Sequence, residues 1–444
     1  MLSFDFDGAI EKISGIDMIY REGVVNQVIG LTVEVEGIES FIGEVCTVFN
    51  KNNDPIPCET VGFRDKHLLL MPLGELVGIA PGCRVVPSGK PLSVRCSDKL
   101  FGQVLDGIGN VIDVSNFELD KYITYPLDTS PPEPLKRRRI KDVLPTGVRA
   151  IDGFLTCGEG QRVGIFAGSG VGKSTLLGMI AREAKADVNV IALIGERGRE
   201  VRDFIEKDLG EEGLKKSIIV CATSDKPALV RLKGAFTATA IAEYFRDKGK
   251  KVILMMDSVT RFAMAQREVG LAIGEPPATK GYTPSVFAML PRLMERAGMS
   301  DKGSITAFYT VLVDGDDFNE PIADAVRGIL DGHIVLSRSL AAKNHYPAID
   351  ILSSVSRLMP EISFLEHKKA ASYARDLLAV YKESEDLINI GAYSKGSNPK
   401  IDKAIEFYEI IENYLKQGIN EKSEFQESVS QLVSMFNDIV ENFE

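Results

Sequence analysis

No apolar run in the 444-residue chain approaches the roughly 18 residues that a membrane-spanning helix needs; the stretch Val252–Met256 soon meets charge on both sides. Any membrane association is therefore expected to be peripheral or through partners. The chain also lacks the basic start and small-residue cleavage site of a secretory signal, since MLSFDFDGAIEKI opens on acidic residues. Six cysteines, Cys46, Cys58, Cys83, Cys96, Cys157 and Cys221, form no CxxC pair, and no histidine stands at metal-ligand spacing. That argues against a zinc framework and for reduced thiols in a cytosolic protein. Positive charge is in deficit: 52 Lys plus Arg against 63 Asp plus Glu leave a net charge of −11. Coating a nucleic-acid backbone or an anionic bilayer by bulk charge is thereby disfavoured, although a local basic patch could do either. What is present, 44% apolar and 26% charged residues, suits a globular chain of two or three domains at about 150 residues each.

The texture changes along the chain. Leu2, Phe6, Ile10 and Ile13 recur at helical spacing over residues 1–20, which predicts a helix that packs on its own domain or docks a partner. Residues 21–96 alternate in short segments, such as LTVEVEG and EVCTVF, punctuated by Gly, Pro and Asn, the pattern of a small antiparallel barrel or sandwich. Residues 97–147 read as a connector: YPLDTSPPEPLKRRRIKDVLPTG is proline-rich, and its basic run Lys136–Arg139 is expected to be solvated charge. From 148 to 365 strand-like and helix-like stretches alternate. The strands QRVGIFAG, VNVIALIGE, SIIVCATSD, KVILMMDS and SITAFYTVLVDGDD are apolar on both faces, as a parallel sheet covered by helices on both sides requires. Residues 366–444 turn to charged helical periodicity and predict a C-terminal helical domain.

AGSGVGKST, Ala167–Thr175, sits where a predicted strand ends and a predicted helix begins. Glycines let such a loop curl its N–H groups around phosphate oxygens, and the helix N-terminus adds a favourable dipole. Gly168, Ser169, Gly170, Val171, Gly172 and Thr175 would form this cradle. Lys173 would bridge the outer phosphates and Ser174 would hold Mg2+. Parallel sheets place their functional loops at the carboxyl ends of strands. Two neighbouring strands end in carboxylates: Glu196, followed by Arg197, and Asp257. Asp257 fits a second magnesium-shell group, and Glu196 could polarise an attacking water, which favours hydrolysis or synthesis over simple nucleotide binding.

The segments GVRAIDGFLTCGEGQRVGIFAGSGVGKSTLL, IGERGREVRDF, GEPPATKGYTPSVFAMLPRLMERAG, VLVDGDDFNEPIADAVRGILDGHIVLSR and YPAIDILSSVSRLMP resemble the flagellar and type III protein export ATPases, relatives of the rotary ATP synthase catalytic subunit. The resemblance spans about Gly23–Ser428 and implies a RecA-type nucleotide-binding core in a homohexamer with ATP between subunits. It implies Glu196 as catalytic base, Arg197 as a phosphate contact beside it, and Asp257 as the strand-end magnesium group. Arg357 in SVSRLMP would be an arginine finger reaching the neighbour's site, Tyr346 would stack on adenine, and Tyr414 would be a second such aromatic or a packing residue. Implied partners are a regulator or stator at the N-terminus, chaperone–substrate complexes and membrane export-gate components, with a cytoplasmic ring beneath the membrane. Three functions stay open: export ATPase of the flagellar or the virulence branch, rotary ATPase subunit, and RNA translocase. The second has only KESEDL as an acidic lever. The third needs a basic, aromatic barrel face that residues 23–96 do not supply.

Overall fold

The computed structural model describes residues 21–112, 119, 121–313 and 318–436. The helix expected over residues 1–20 lies outside them. The chain falls into two compact units, one reaching to Leu92 with Ala272–Gly274 added, the other running from Ser93 through the rest.

The first unit holds strands β1 (Gly23–Ile29), β2 (Thr32–Glu36), β3 (Glu44–Phe49), β4 (Pro55–Arg64), β5 (His67–Pro72) and β6 (Arg84–Pro91). They close into an antiparallel barrel in the order β1-β2-β5-β4-β3-β6. The alternation seen in the sequence is the cause. Cys46 and Val48 of β3 point inward with Val25, Val33, Val35, Cys58, Leu68, Leu70 and Val85, all buried, while the residues between them stay partly open to solvent. Turn chemistry sets the register between β3 and β4. Asn53 adopts φ 65°, and the Asn50 side chain accepts from the backbone N–H groups of Asn52 and Asp54.

The second unit adds β7 (Ser93–Cys96), β8 (Val104–Asp106), β9 (Ile123–Pro126), β10 (Arg162–Ala167), β11 (Val188–Ile194), β12 (Ser217–Ala222), β13 (Lys251–Asp257), β14 (Gly298–Met299), β15 (Ser304–Leu312), β16 (Gly332–Leu336) and β17 (Val355–Ser356). The main sheet runs β17-β16-β10-β15-β13-β11-β12-β8, with β14 attached to β15. Its pairs are parallel except those of β14 and β17. Every residue of β11 is buried, as a strand covered on both faces demands. Helices Leu365–Asn389, Pro399–Leu415 and Phe425–Ser434 bring Ala370, Ala374, Leu377, Ala404, Ile411 and Leu432 into the same core as Val163 and Ile165 of β10 and Leu177 and Ile180 of the helix that follows it.

Residues 97–147 do more than connect. Val104–Asp106 extends the sheet as β8, parallel to β12. Of the basic run, Lys136 and Arg139 are exposed as expected, but Arg137 and Arg138 are not free solvated charge. Arg137 donates to the carbonyl oxygens of Glu295 and Ala297, the latter at 2.8 Å, and Arg138 donates to that of Ser300 at 2.8 Å. The guanidinium forks satisfy backbone carbonyls around β14 that would otherwise need water. Composition reveals charge but not such partners, about 160 residues away in sequence.

Candidate functional site

The loop after β10 leads into the helix Lys173–Glu183. Gly170 (φ 77°) and Gly172 (φ 89°) adopt left-handed conformations that side-chain-bearing residues resist. Val171 between them is buried in the core, so it anchors the loop by its side chain and leaves only its backbone for a ligand. A cleft of about 650 Å³ opens here, lined by Gly168, Ser169, Gly170, Gly172, Lys173, Ser174 and Thr175, by Glu196, Arg197 and Glu200 beyond β11, and by Asp257 and Arg261 beyond β13. The two strand-end carboxylates converge on the loop lysine: Lys173 Nζ lies 2.5 Å from Asp257 Oδ1 and 3.5 Å from Glu196 Oε1.

Electrostatics separate the two carboxylates. Burial pushes Glu196 up to about 7, Lys173 opposing and the nearby Asp257 charge and the Glu200 hydrogen bond adding to the rise. Asp257 is fixed by a second donor, the Thr310 hydroxyl from β15 at 2.7 Å. Burial works against the Lys173 charge, yet Asp257 and Glu196 more than offset it and hold the ammonium above its usual range. Beside the Lys173–Asp257 contact, the site thus holds a Glu196 carboxyl whose proton is poised near neutrality. The Ser174 hydroxyl and the Asp257 carboxylate are hard oxygen donors, which suits Mg2+ shared with phosphate oxygens rather than a free-standing metal cage.

The outer residues divide. Arg197 lines the cleft, 77% exposed, and pairs with Glu200 at 3.3 Å. Tyr346 is 41% exposed, and a β-carbon on Gly172 would stand 3.5 Å from its ring, which places the ring beside the phosphate loop. Arg357 does not line its own chain's cleft. Its guanidinium makes one long contact, 3.5 Å to the Arg327 carbonyl, and no carboxylate among the described residues pairs with it. The ring of Tyr414, by contrast, is not at the cleft. It is 2% exposed, packs edge-on against Phe154 at 6.0 Å and donates to the Ser428 carbonyl at 3.0 Å. Its reading as a second adenine-facing aromatic is corrected to that of a core residue. The apolar positions around it, Ile411 and Leu415 on the same helix, turn it inward.

Three further residues escaped the sequence reading. Arg261, four residues past Asp257, borders the cleft, and its Nε is buried without a hydrogen-bond partner among the described residues. Its spacing after a strand-end Asp was the available signal. Thr310 and Glu200 act through register and helix geometry, for which linear spacing gives no cue.

Family models match the chain in three parts: the ATP synthase alpha/beta family beta-barrel domain over residues 25–89, the nucleotide-binding domain of the same family over 147–356, and the T3SS EscN ATPase C-terminal domain over 365–434. The chain is 58% identical over 430 residues to the flagellum-specific ATP synthase of Bacillus subtilis (strain 168), with 96% of this chain and 98% of that one covered. It is 51% identical over 420 residues to the type 3 secretion system ATPase of Xanthomonas euvesicatoria, covering 94% and 95%. The solved structure of assembled EscN with its central stalk EscO, from the enteropathogenic E. coli type III secretion system, superimposes with a TM-score of 0.86 at 46% identity, covering 93% of this chain and 99% of that one. The chain therefore belongs to the ATP synthase alpha/beta family, in its branch of flagellum-specific ATP synthases and type III secretion system ATPases.

Proposed function

We propose that the chain hydrolyses ATP as a ring of six copies and that the ring energises flagellar type III protein export. The observation that carries the shared-site part is the placement of Arg357. It is exposed and away from the cleft where Lys173, Glu196 and Asp257 converge, so it is free to complete a neighbour's site. The relative solved in its assembled form supports a ring. In each site Lys173 and the loop N–H groups hold the outer phosphates, Ser174 and Asp257 hold Mg2+, and Arg197 adds a phosphate contact. Mg2+ held there would neutralise developing phosphate charge. Glu196 accepts the proton of the attacking water as its oxygen bonds to the terminal phosphorus and ADP departs. Arg357 from the adjacent copy stabilises the charge on the transferring group, a contribution of about 10³ to 10⁵ in rate, or roughly 4–7 kcal/mol. Tyr346 faces adenine.

On this reading residues 21–96 form the barrel, 97–147 the connecting segment, 148–365 the ATPase core and 366–444 the helical domain, with residues 1–20 docking a stator-like regulator. The ring would act on the cytoplasmic face of the membrane, receiving chaperone–substrate complexes and passing substrates to the export gate; no described helix is long and apolar enough to cross a membrane. The 58% identity to a flagellum-specific relative favours the flagellar branch, and 51% identity to a type 3 secretion system ATPase supports the virulence branch as the second reading. A rotary subunit is less favoured because one chain carries both Glu196 and Arg357. Affinity purification from the native cell decides between branches: recovery of flagellar export components supports the proposal, and recovery of injection-system components overturns the flagellar part.

A further inference from the structure

Glu412 lies on the helix Pro399–Leu415, and three groups meet its carboxylate. His345 Nδ1 is 3.1 Å away, Lys416 Nζ is 3.2 Å away, and the Tyr408 hydroxyl is hydrogen-bonded to it. Although burial works against the charge, His345 and Lys416 hold the carboxyl down at about 2, so it is ionised at neutral pH. His345 is 2% exposed, and its backbone N–H donates to the Leu340 carbonyl at 3.0 Å. The next residue is Tyr346, whose own carbonyl accepts the Gln417 N–H at 2.9 Å, just beyond the same helix. The Gln417 side chain in turn grips the segment before the core, donating to the Gly147 carbonyl at 2.8 Å and accepting from the Arg149 N–H at 2.8 Å. Tyr346 is therefore tied to the helix Pro399–Leu415 and the residues just after it, by the buried His345–Glu412 hydrogen bond one residue before it and by the backbone hydrogen bond from Gln417 at the residue itself.

We infer that Glu412, through His345, is a positioning residue for Tyr346 and so sets how well the site grips the base of its nucleotide. This rests on the reading that Tyr346 faces adenine. The physical reason is that Tyr346 is 41% exposed and makes no side-chain hydrogen bond among the described residues, so its ring beside Gly172 depends on the anchors of the segment that carries it. A base-stacking face is effective only when it is held in place before the ligand arrives. It follows that a partner that shifts the helix Pro399–Leu415 changes ATP affinity without touching the phosphate loop.

The test uses the full-length protein carrying Glu412→Ala, Glu412→Gln or Tyr346→Ala, each checked for folding by its thermal transition. ATP hydrolysis is measured alongside inhibition by inorganic tripolyphosphate, a probe with phosphates and no base. The expected result for Glu412→Ala is a KM for ATP raised by about three- to tenfold with kcat changed less than twofold, and an unchanged inhibition constant for tripolyphosphate. Glu412→Gln, which still accepts a hydrogen bond from His345, should recover most of the affinity and serves alone if the alanine variant does not fold; KM for that variant then rises less than twofold in the presence of His345 and clearly more when His345→Ala is added. Equal weakening of ATP and tripolyphosphate, or no change in KM, overturns the inference. Tyr346→Ala separates the two layers: if it raises KM and Glu412→Ala does not, the positioning role alone fails, whereas an unchanged KM in Tyr346→Ala removes the base-facing reading beneath it.

Discussion

Lys173 opens the helix that follows β10, Asp257 closes β13, and the two meet with Nζ 2.5 Å from Oδ1. The contact links the phosphate loop after β10 to the end of β13, with β15 lying between them in the sheet. It is why β15 supplies the third group, Thr310, to the same carboxylate. Replacing Asp257 by Asn keeps the shape and removes the charge. The expected outcome is loss of Mg2+-dependent turnover by about 10² or more, seen as a collapse of the magnesium titration of phosphate release, with ATP-independent thermal stability changed much less.

Glu196 gives the pH dependence. The carboxylate form is the one that accepts a proton, and burial lifts the group to about 7. Below that value kcat/KM should therefore fall about tenfold per pH unit and level off above it. Glu196→Gln should lose activity by about 10² or more and retain nucleotide binding in a fluorescent-nucleotide titration. For stability the sign is opposite to that of a salt-bridged acid. Between its ordinary value of 4.5 and about 7 the folded state keeps a proton that the unfolded state releases, so this group's contribution declines as pH rises through that window.

Tyr346 and Tyr414 should part company on mutation. Tyr414→Phe removes a hydroxyl that satisfies the buried Ser428 carbonyl and should cost about 1–3 kcal/mol in denaturant unfolding without moving the KM for ATP. Tyr346→Ser should raise that KM and leave unfolding nearly unchanged, because the residue is 41% exposed.

A buried ion pair tests the core. Arg296, fully buried, donates to both carboxylate oxygens of Glu243, with Nε at 3.0 Å, and to the Leu127 carbonyl. Arg296→Met alone leaves the buried Glu243 carboxylate with only Arg246 at 3.9 Å and the Thr129 hydroxyl at 3.2 Å and should cost about 3 kcal/mol, whereas adding Glu243→Leu should recover much of it. Thermal unfolding of the single and double variants measures the difference.

Much of this was legible in the sequence because the responsible patterns are local. The two-residue alternation of EVCTVF announces a barrel strand, the fully apolar VNVIALI a covered parallel strand, and the glycines of AGSGVGKST a phosphate loop at the strand-to-helix turn. Glu196 and Asp257 stand out as candidates in the sequence because a carboxylate closing an apolar strand has a fixed address in such a sheet, and both line the cleft. What escaped depends on distant contacts. Arg137 and Arg138 looked like solvated charge because their carbonyl partners lie about 160 residues away. Val104–Asp106 looked like connector because its pairing partner, β12, comes about a hundred residues later. Tyr414 was ambiguous because helical periodicity alone does not say which face of a helix meets which neighbour.

The shared site is the central claim, and mixing two inactive variants tests it most directly. Arg357→Ala keeps Glu196 and lacks the finger; Glu196→Gln keeps the finger and lacks the base. Each alone should be nearly inactive. Assembled together in equal amounts, about a quarter of the interfaces in a closed ring pair an intact Glu196 with an intact Arg357 from the neighbour, so ATPase activity should reappear well above the sum of the two. Activity of the mixture equal to that sum, or full activity in Arg357→Ala alone, would contradict a site built from two copies of the chain.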